Sequence, residues 1–136
     1  MSITGTSTER MLELAVAAAD DKGAFGQVAL EVRELFALAD AFLIVSGTVE
    51  RNAQAISDSI EDALNDGGFR TIRREGREGG RWVLLDFGDL IVHVFHQEER
   101  EFYQLERLWK DCPVIPVDQW IAQPADLQNT ASSDVN

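Results

Sequence analysis

The chain has 136 residues, 45% of them hydrophobic, which is enough for one ordinary globular core and too apolar for a disordered acidic chain. Its 24 acidic and 12 basic side chains leave a formal net charge of -12, so its long-range field repels nucleic-acid phosphate and anionic lipid and favours a basic partner. A single cysteine, Cys112, excludes an internal disulfide framework or a cysteine-rich zinc site. With no leader-like or membrane-spanning apolar run, a cytoplasmic setting is expected.

Thr6-Ser7-Thr8-Glu9 has the form of a capping box, and Met11, Leu14, Ala15, Ala18 and Ala19 continue as the apolar stripe of a helix ending near Lys22-Gly23. Gln27 to Val32 alternates as a half-buried strand does, with Val28, Leu30 and Val32 on one side. Ala41-Phe42-Leu43-Ile44-Val45 has no polar alternation and reads as a central strand covered on both faces. Ser46-Gly47-Thr48 then leads into a second helix, with Thr48 as its expected cap and Val49, Ala53, Ile56, Ile60, Ala63 and Leu64 as its buried stripe. Gly67-Gly68 terminates it. Its polar side carries Asp58, Glu61, Asp62 and Asp66, a solvated acidic face.

Phe69 to Arg74 is expected to be a short strand and Glu75 to Gly80 a glycine-rich connection. Trp82 to Phe87 and Leu90 to Phe95 then form a hairpin across Gly88-Asp89. A last helix is expected from about Glu98 to Lys110, burying Phe102, Leu105, Leu108 and Trp109 and ending at Cys112-Pro113. Residues 1–120 make one domain, and 121–136 are expected to be a disordered tail. The fold class is α/β: a mixed five-stranded sheet with helices packed on it.

Several residue groups carry chemical meaning. Arg70, Arg73, Arg74, Arg77 and Arg81 face only Glu75 and Glu78 in the same segment, so Arg73, Arg74 and Arg77 are candidates for facing RNA, against the simpler role of solubilising an edge strand. Asp86 and Asp89 flank the hairpin turn and leave open a metal-dependent nucleotidyltransferase or nuclease, although no Asp-x-Asp strand signature follows the Gly-Thr turn. Ser46-Gly47-Thr48 stands where α/β proteins bind anions, but lacks a phosphate-loop lysine. His93 and His96 differ in strand phase and point to opposite faces, so they do not jointly ligate a metal. His93 is either a half-buried structural residue or a functional position beside Trp82. In the last helix Arg100, Tyr103 and Glu106 add interface-type residues to an aromatic-rich segment.

The stretch Gly79-Gly80-Arg81-Trp82-Val83-Leu84-Leu85-Asp86-Phe87-Gly88-Asp89-Leu90-Ile91-Val92-His93-Val94-Phe95, followed by Glu99-Arg100-Glu101-Phe102-Tyr103-Gln104-Leu105-Glu106-Arg107-Leu108-Trp109, resembles the signature of the ribosomal silencing factor, or Iojap-like, family. Asp40 to Thr48, Gln54-Ala55-Ile56 and Glu75-Gly76 fall where that family has its strand, turn, helix and Glu-Gly elements, so the resemblance covers about Thr8 to Asp111. It implies a nucleotidyltransferase-like but catalytically degenerate fold, no enzymatic activity and no cofactor or metal. It also implies a translational repressor that binds the large ribosomal subunit through ribosomal protein L-fourteen on the intersubunit face. Such a protein blocks subunit joining sterically, especially under nutrient limitation. By matching positions, partner binding is carried to Trp82, Asp86, His93, Arg100, Tyr103, Glu106 and Trp109, some of them as scaffold. A minor contact with rRNA and a homodimer of the free protein remain open.

Overall fold

The computed structural model describes residues 5–34, 36–104, 107 and 109–122. The elements in chain order are α1 (Ser7–Asp21), β1 (Phe25–Glu31), β2 (Ala41–Gly47), α2 (Glu50–Asp66), β3 (Arg73–Glu75), β4 (Trp82–Asp86), β5 (Leu90–His96), α3 (Gln97–Tyr103), β6 (Val114–Ile115) and a 3-10 turn (Asp118–Trp120). The six strands form one sheet in the order β3-β4-β5-β2-β1-β6. Only β2 and β5 run parallel; the other neighbouring pairs are antiparallel. The sixth strand is a departure from the five expected. Val114 and Ile115 pair with Leu30 and Ala29 just after Pro113, a register set by tertiary contact, which a two-residue segment does not advertise.

The local chemistry explains most boundaries. Thr6 caps α1 by accepting from the Glu9 amide at 3.3 Å, while the Glu9 carboxylate returns to the Gly5 amide at 2.7 Å, one residue earlier than an ideal capping box. At the start of α2 the expected Thr48 cap is replaced. Val49 occupies the cap position without a side-chain bond, and the Asn52 carboxamide oxygen reaches back to the Thr48 amide at 2.9 Å. Its far end closes as a Schellman motif, with the Gly68 amide on the Asn65 carbonyl, the Phe69 amide on the Leu64 carbonyl, and Gly68 at φ 95°. In place of the expected Phe69–Arg74 strand, the structure has Arg73–Glu75, all exposed and paired with Asp86, Leu85 and Leu84 of β4, and the Ile72 amide adds a bond to the Asp86 carbonyl.

The two long helices lie on one face of the sheet. Leu12, Ala15, Val16 and Ala19 of α1 and Ala53, Ile56, Ile60 and Leu64 of α2 are fully buried against Leu43, Val45, Leu85, Val92 and Val94. Each large side chain buried this way contributes about 1.5–3 kcal/mol. Every residue of β2 and of β5 is buried, as expected of neighbouring central strands covered on both sides. Val49 departs from the expected stripe and is 51% exposed, since it sits before the first helical turn.

Among the described residues, no long helix packs on the opposite face. Its core is Leu30, Val32, Phe42, Ile44, Ile91 and Phe95, with Val28, Phe36, Trp82, Leu84 and Trp109 packed partly buried around them. The cover comes from the loop between β1 and β2, from α3, and from Trp109. This open face carries the candidate site.

Candidate partner-docking face

The period of two along a strand sends Trp82, Leu84 and Asp86 of β4 and Ile91, His93 and Phe95 of β5 to the open face. Trp82 sits opposite Phe95 and His93 opposite Leu84. The Trp82 ring stacks on Phe95 at a centroid distance of 4.8 Å and meets Tyr103 at 5.0 Å. Its indole N–H donates to Nδ1 of His93 at 3.2 Å, which fixes the ring and uses its one polar group internally. Phe42 lies edge-on to both His93 and Trp109, at 5.0 Å each, and Phe36 adds a further edge contact to Trp109. One aromatic sheet therefore runs from Tyr103 through Trp82 and His93 to Phe42 and Trp109.

His93 is the floor of this sheet, only 6% exposed. Burial pushes its pKa down to about 4, so the ring is neutral at physiological pH. Because Nδ1 accepts from Trp82, the neutral proton sits on Nε2, which is buried without a partner among the described residues. His96 points the other way. Its Nδ1 accepts from the Glu98 amide at 3.1 Å and so caps α3, and its Nε2 lies 3.9 Å from the Glu50 carboxylate.

The last helix is shorter than its sequence suggests. It ends at Tyr103, and Gln104 takes a left-handed conformation, φ 50° and ψ 50°. A continuous helix would set Tyr103 and Trp109 about 120° apart around its axis, since each residue advances about 100°. The break lets both rings lie on the same sheet face. It also leaves α3 with no buried residue, and Phe102, expected in the core, is 77% exposed with Tyr103 at 47%. The two rings touch edge-to-face at 5.0 Å. Leu105, Glu106 and Leu108 lie outside the described residues.

Of the seven candidate partner-binding residues, Trp82, Tyr103, Asp86 and Trp109 thus reach the surface of this face, and His93 supports it from beneath. Arg100 is directed elsewhere: its Nη1 donates to the Gly26 carbonyl and to Ser46 Oγ, tying α3 to the ends of β1 and β2. Glu106 is outside the described residues. Asp86 and Asp89 are turn carboxylates. Asp86 accepts from the Gly88 amide at 2.8 Å, Gly88 supplies the positive φ of 92°, and no group of three potential metal ligands occurs among the described residues.

The arginine-rich segment is folded against the acidic side of α2. Arg77 makes two parallel bonds to Asp58, at 2.8 and 2.7 Å, and Arg74 reaches Glu61 at 2.7 Å; Arg73 lies 3.3 Å from Glu75. The Arg77 bonds hold the Asp58 carboxyl below its ordinary range. Arg81 gathers Glu50, Glu98 and Glu99, joining the starts of α2 and α3, and these bonds raise its already high pKa. Gln54 donates to the Arg77 and Glu78 carbonyls and pins the intervening loop to α2. The one-dimensional charge pattern does not reveal the partners of Arg74, Arg77 and Arg81, which lie 13 to 31 positions away.

A family model described as ribosomal silencing factor during starvation matches residues 5–136. The chain belongs to the ribosomal silencing factor family. The relatives include the ribosomal silencing factor of Halalkalibacterium halodurans, 44% identical over 112 residues that cover 82% of this chain and 96% of the relative. That of Bacillus subtilis is 43% identical over 79% of this chain and 92% of the relative. A crystal structure from Bacillus halodurans superposes with a TM-score of 0.71 at 42% identity, covering 79% of this chain and 98% of that one. The signature around β4, β5 and α3 is therefore that of the ribosomal silencing factors, and the mixed α/β sheet is their fold. Among the described residues, no helix is long and apolar enough to cross a membrane.

Proposed function

We propose that this chain is a non-enzymatic, ribosome-directed translational repressor. It binds the large subunit through ribosomal protein L-fourteen on the intersubunit face and sterically blocks joining of the small subunit, especially when nutrients are scarce. Family membership supports the ribosome-directed role. The observation that carries the docking mode is the aromatic face on which, among the described residues, no long helix packs: Trp82, Tyr103 and Phe102 lie together there, with Asp86 at the far end of β4. Trp and Tyr dominate the energetics of protein interfaces, and a patch of about 800 Å² per partner suffices for a specific complex.

The electrostatics agree with a basic protein embedded in RNA. A net charge of -12 accelerates encounter with a cationic partner. The ion pairs of Arg74 and Arg77 hold the segment nearest to RNA-binding chemistry in a compensated state, which makes any rRNA contact secondary. Repression by this route needs only occupancy and bulk. The test is sedimentation with isolated large subunits together with a subunit-joining assay. Co-migration with the large subunit and loss of assembled ribosomes are expected; failure to bind free large subunits at moderate salt would sink the proposal.

A further inference from the structure

The seven residues of α3 add nothing to the buried core, and so short a helix does not hold its place by its own backbone bonds. Polar ties set its position. Its first turn is held by His96, which accepts from the Glu98 amide, by Arg81 through the Glu98 and Glu99 carboxylates, and by Gln97, which donates to the Thr48 carbonyl. The last turn carries Phe102 and Tyr103, and Arg100 ties it to the sheet.

The seat of Arg100 is built into an irregularity of β1. Phe25 pairs with Ser46 and Val28 with Ile44, so three steps along β1 face two along β2, the geometry of a bulge. Within it Gly26 takes φ 62° and its carbonyl accepts from Arg100 Nη1. The buried Ser46 hydroxyl accepts from the same nitrogen at 2.9 Å. A Cβ at Gly26 would stand 2.9 Å from that nitrogen, so glycine is needed twice, for the backbone and for the guanidinium. The register puts this seat in line with the docking aromatics: Phe25, Ser46, Phe95 and Trp82 follow one another across β1, β2, β5 and β4. Arg100 grips that row at Ser46. Tyr103, three positions on and hence on the same side of the helix, rests against Trp82 with ring centroids 5.0 Å apart.

We infer that Arg100, Gly26 and Ser46 are positioning residues of the docking face: the β1 bulge seats the Arg100 guanidinium, and that seat fixes how α3 presents Tyr103 and Phe102 to the partner. Arg100 acts through Tyr103 and does not itself touch the partner. The inference rests on the docking mode proposed above and extends it to β1 and β2.

The test is the affinity of the full chain for isolated large subunits, titrated by co-sedimentation below the melting temperature of each variant. Arg100→Ala is expected to weaken binding about tenfold, and Ser46→Ala, which removes one of two acceptors, about threefold. Arg100→Lys keeps a cationic donor and is expected to lose less than Arg100→Ala. The decisive comparison is made in the Tyr103→Ala background, where adding Arg100→Ala is expected to cost less than about twofold, because the ring it positions is gone. A full tenfold loss in both backgrounds makes Arg100 a direct partner contact and overturns the inference. So does a normal affinity of Arg100→Ala, or of Ser46→Ala, whatever happens to the melting temperature. If the parent chain does not bind large subunits, the docking mode itself fails and the inference falls with it.

Discussion

Replacing His93 tests the physical account of the aromatic face directly. Protonating this ring places a charge among Phe42, Trp82 and Phe95, with its Nδ1 already accepting from Trp82, and its pKa accordingly falls from 6.5 to about 4. The unfolded chain therefore binds a proton on this residue between those values while the folded chain does not. The stabilising contribution is complete above pH 6.5 and is lost as the pH falls toward 4. At full effect the loss is about 3 kcal/mol, and between pH 7.5 and 5 it is about 2 kcal/mol. His93→Asn keeps an oxygen acceptor near the Trp82 indole and has no proton to gain. Urea unfolding followed by tryptophan fluorescence at steps from pH 7.5 to 5 is expected to show the parent losing about 2 kcal/mol more than the variant. Groups common to both proteins cancel in that difference, and the acidic limit stays above the range where Asp58 titrates. Parallel stability curves for the two proteins would refute the reasoning.

Tyr103→Ala removes a half-exposed ring from the docking face and is expected to weaken large-subunit binding about tenfold or more, with the urea midpoint changed by less than about 0.5 kcal/mol of stability; a normal affinity in co-sedimentation contradicts the assigned face. Arg77→Ala breaks the paired bonds to Asp58, both side chains being about 40% exposed, and is expected to lower the urea midpoint slightly, by an amount that shrinks in high salt. A double-mutant cycle with Asp58→Ala measures that coupling. Gly76→Ala puts a Cβ 2.1 Å from the Trp82 carbonyl oxygen at φ 82°, so a loss of about 3 kcal/mol or more is expected in thermal unfolding, and a near-neutral result would show the loop to be adaptable.

The parts of this fold that were legible in the sequence are those where local chemistry and tertiary packing agree. The unbroken apolar run of β2, the Gly88-Asp89 hairpin and the Gly67-Gly68 terminator are of this kind. The chain is less readable where two interactions compete. Helix propensity continues through Gln104, yet Tyr103 and Trp109 reach one sheet face only if the helix stops there. Thr48 has the chemistry of a cap, but its amide and its hydroxyl both donate to the Asn52 carboxamide oxygen, and its hydroxyl caps no helix amide among the described residues. The aromatic identities of the candidate site were readable from residues 82 to 109, whereas their exposure was not: Phe102 is outside and His93 inside, and Phe36 arrives from a loop with no periodic signal. Similarly, sign and spacing marked the arginine segment, but its partners on α2 are a product of folding.

The parallel pairing of β2 with β5 also constrains how the chain acquires its structure. Ala41 pairs with Leu90, so about 50 residues, containing α2 and the two strands that complete one side of the sheet, must be threaded between the two most buried strands. During synthesis from the N-terminus, β1 and β2 emerge first and offer one edge of β2 with no strand to cover it. That edge is closed only when β5 has emerged, after the loop pinned by Gln54 and after β4, which delivers β5 through a two-residue turn. The Gly88-Asp89 hairpin shortens the search for that edge, because a two-residue turn ties β4 to β5 and the pairing of either strand carries the other toward its place in the sheet.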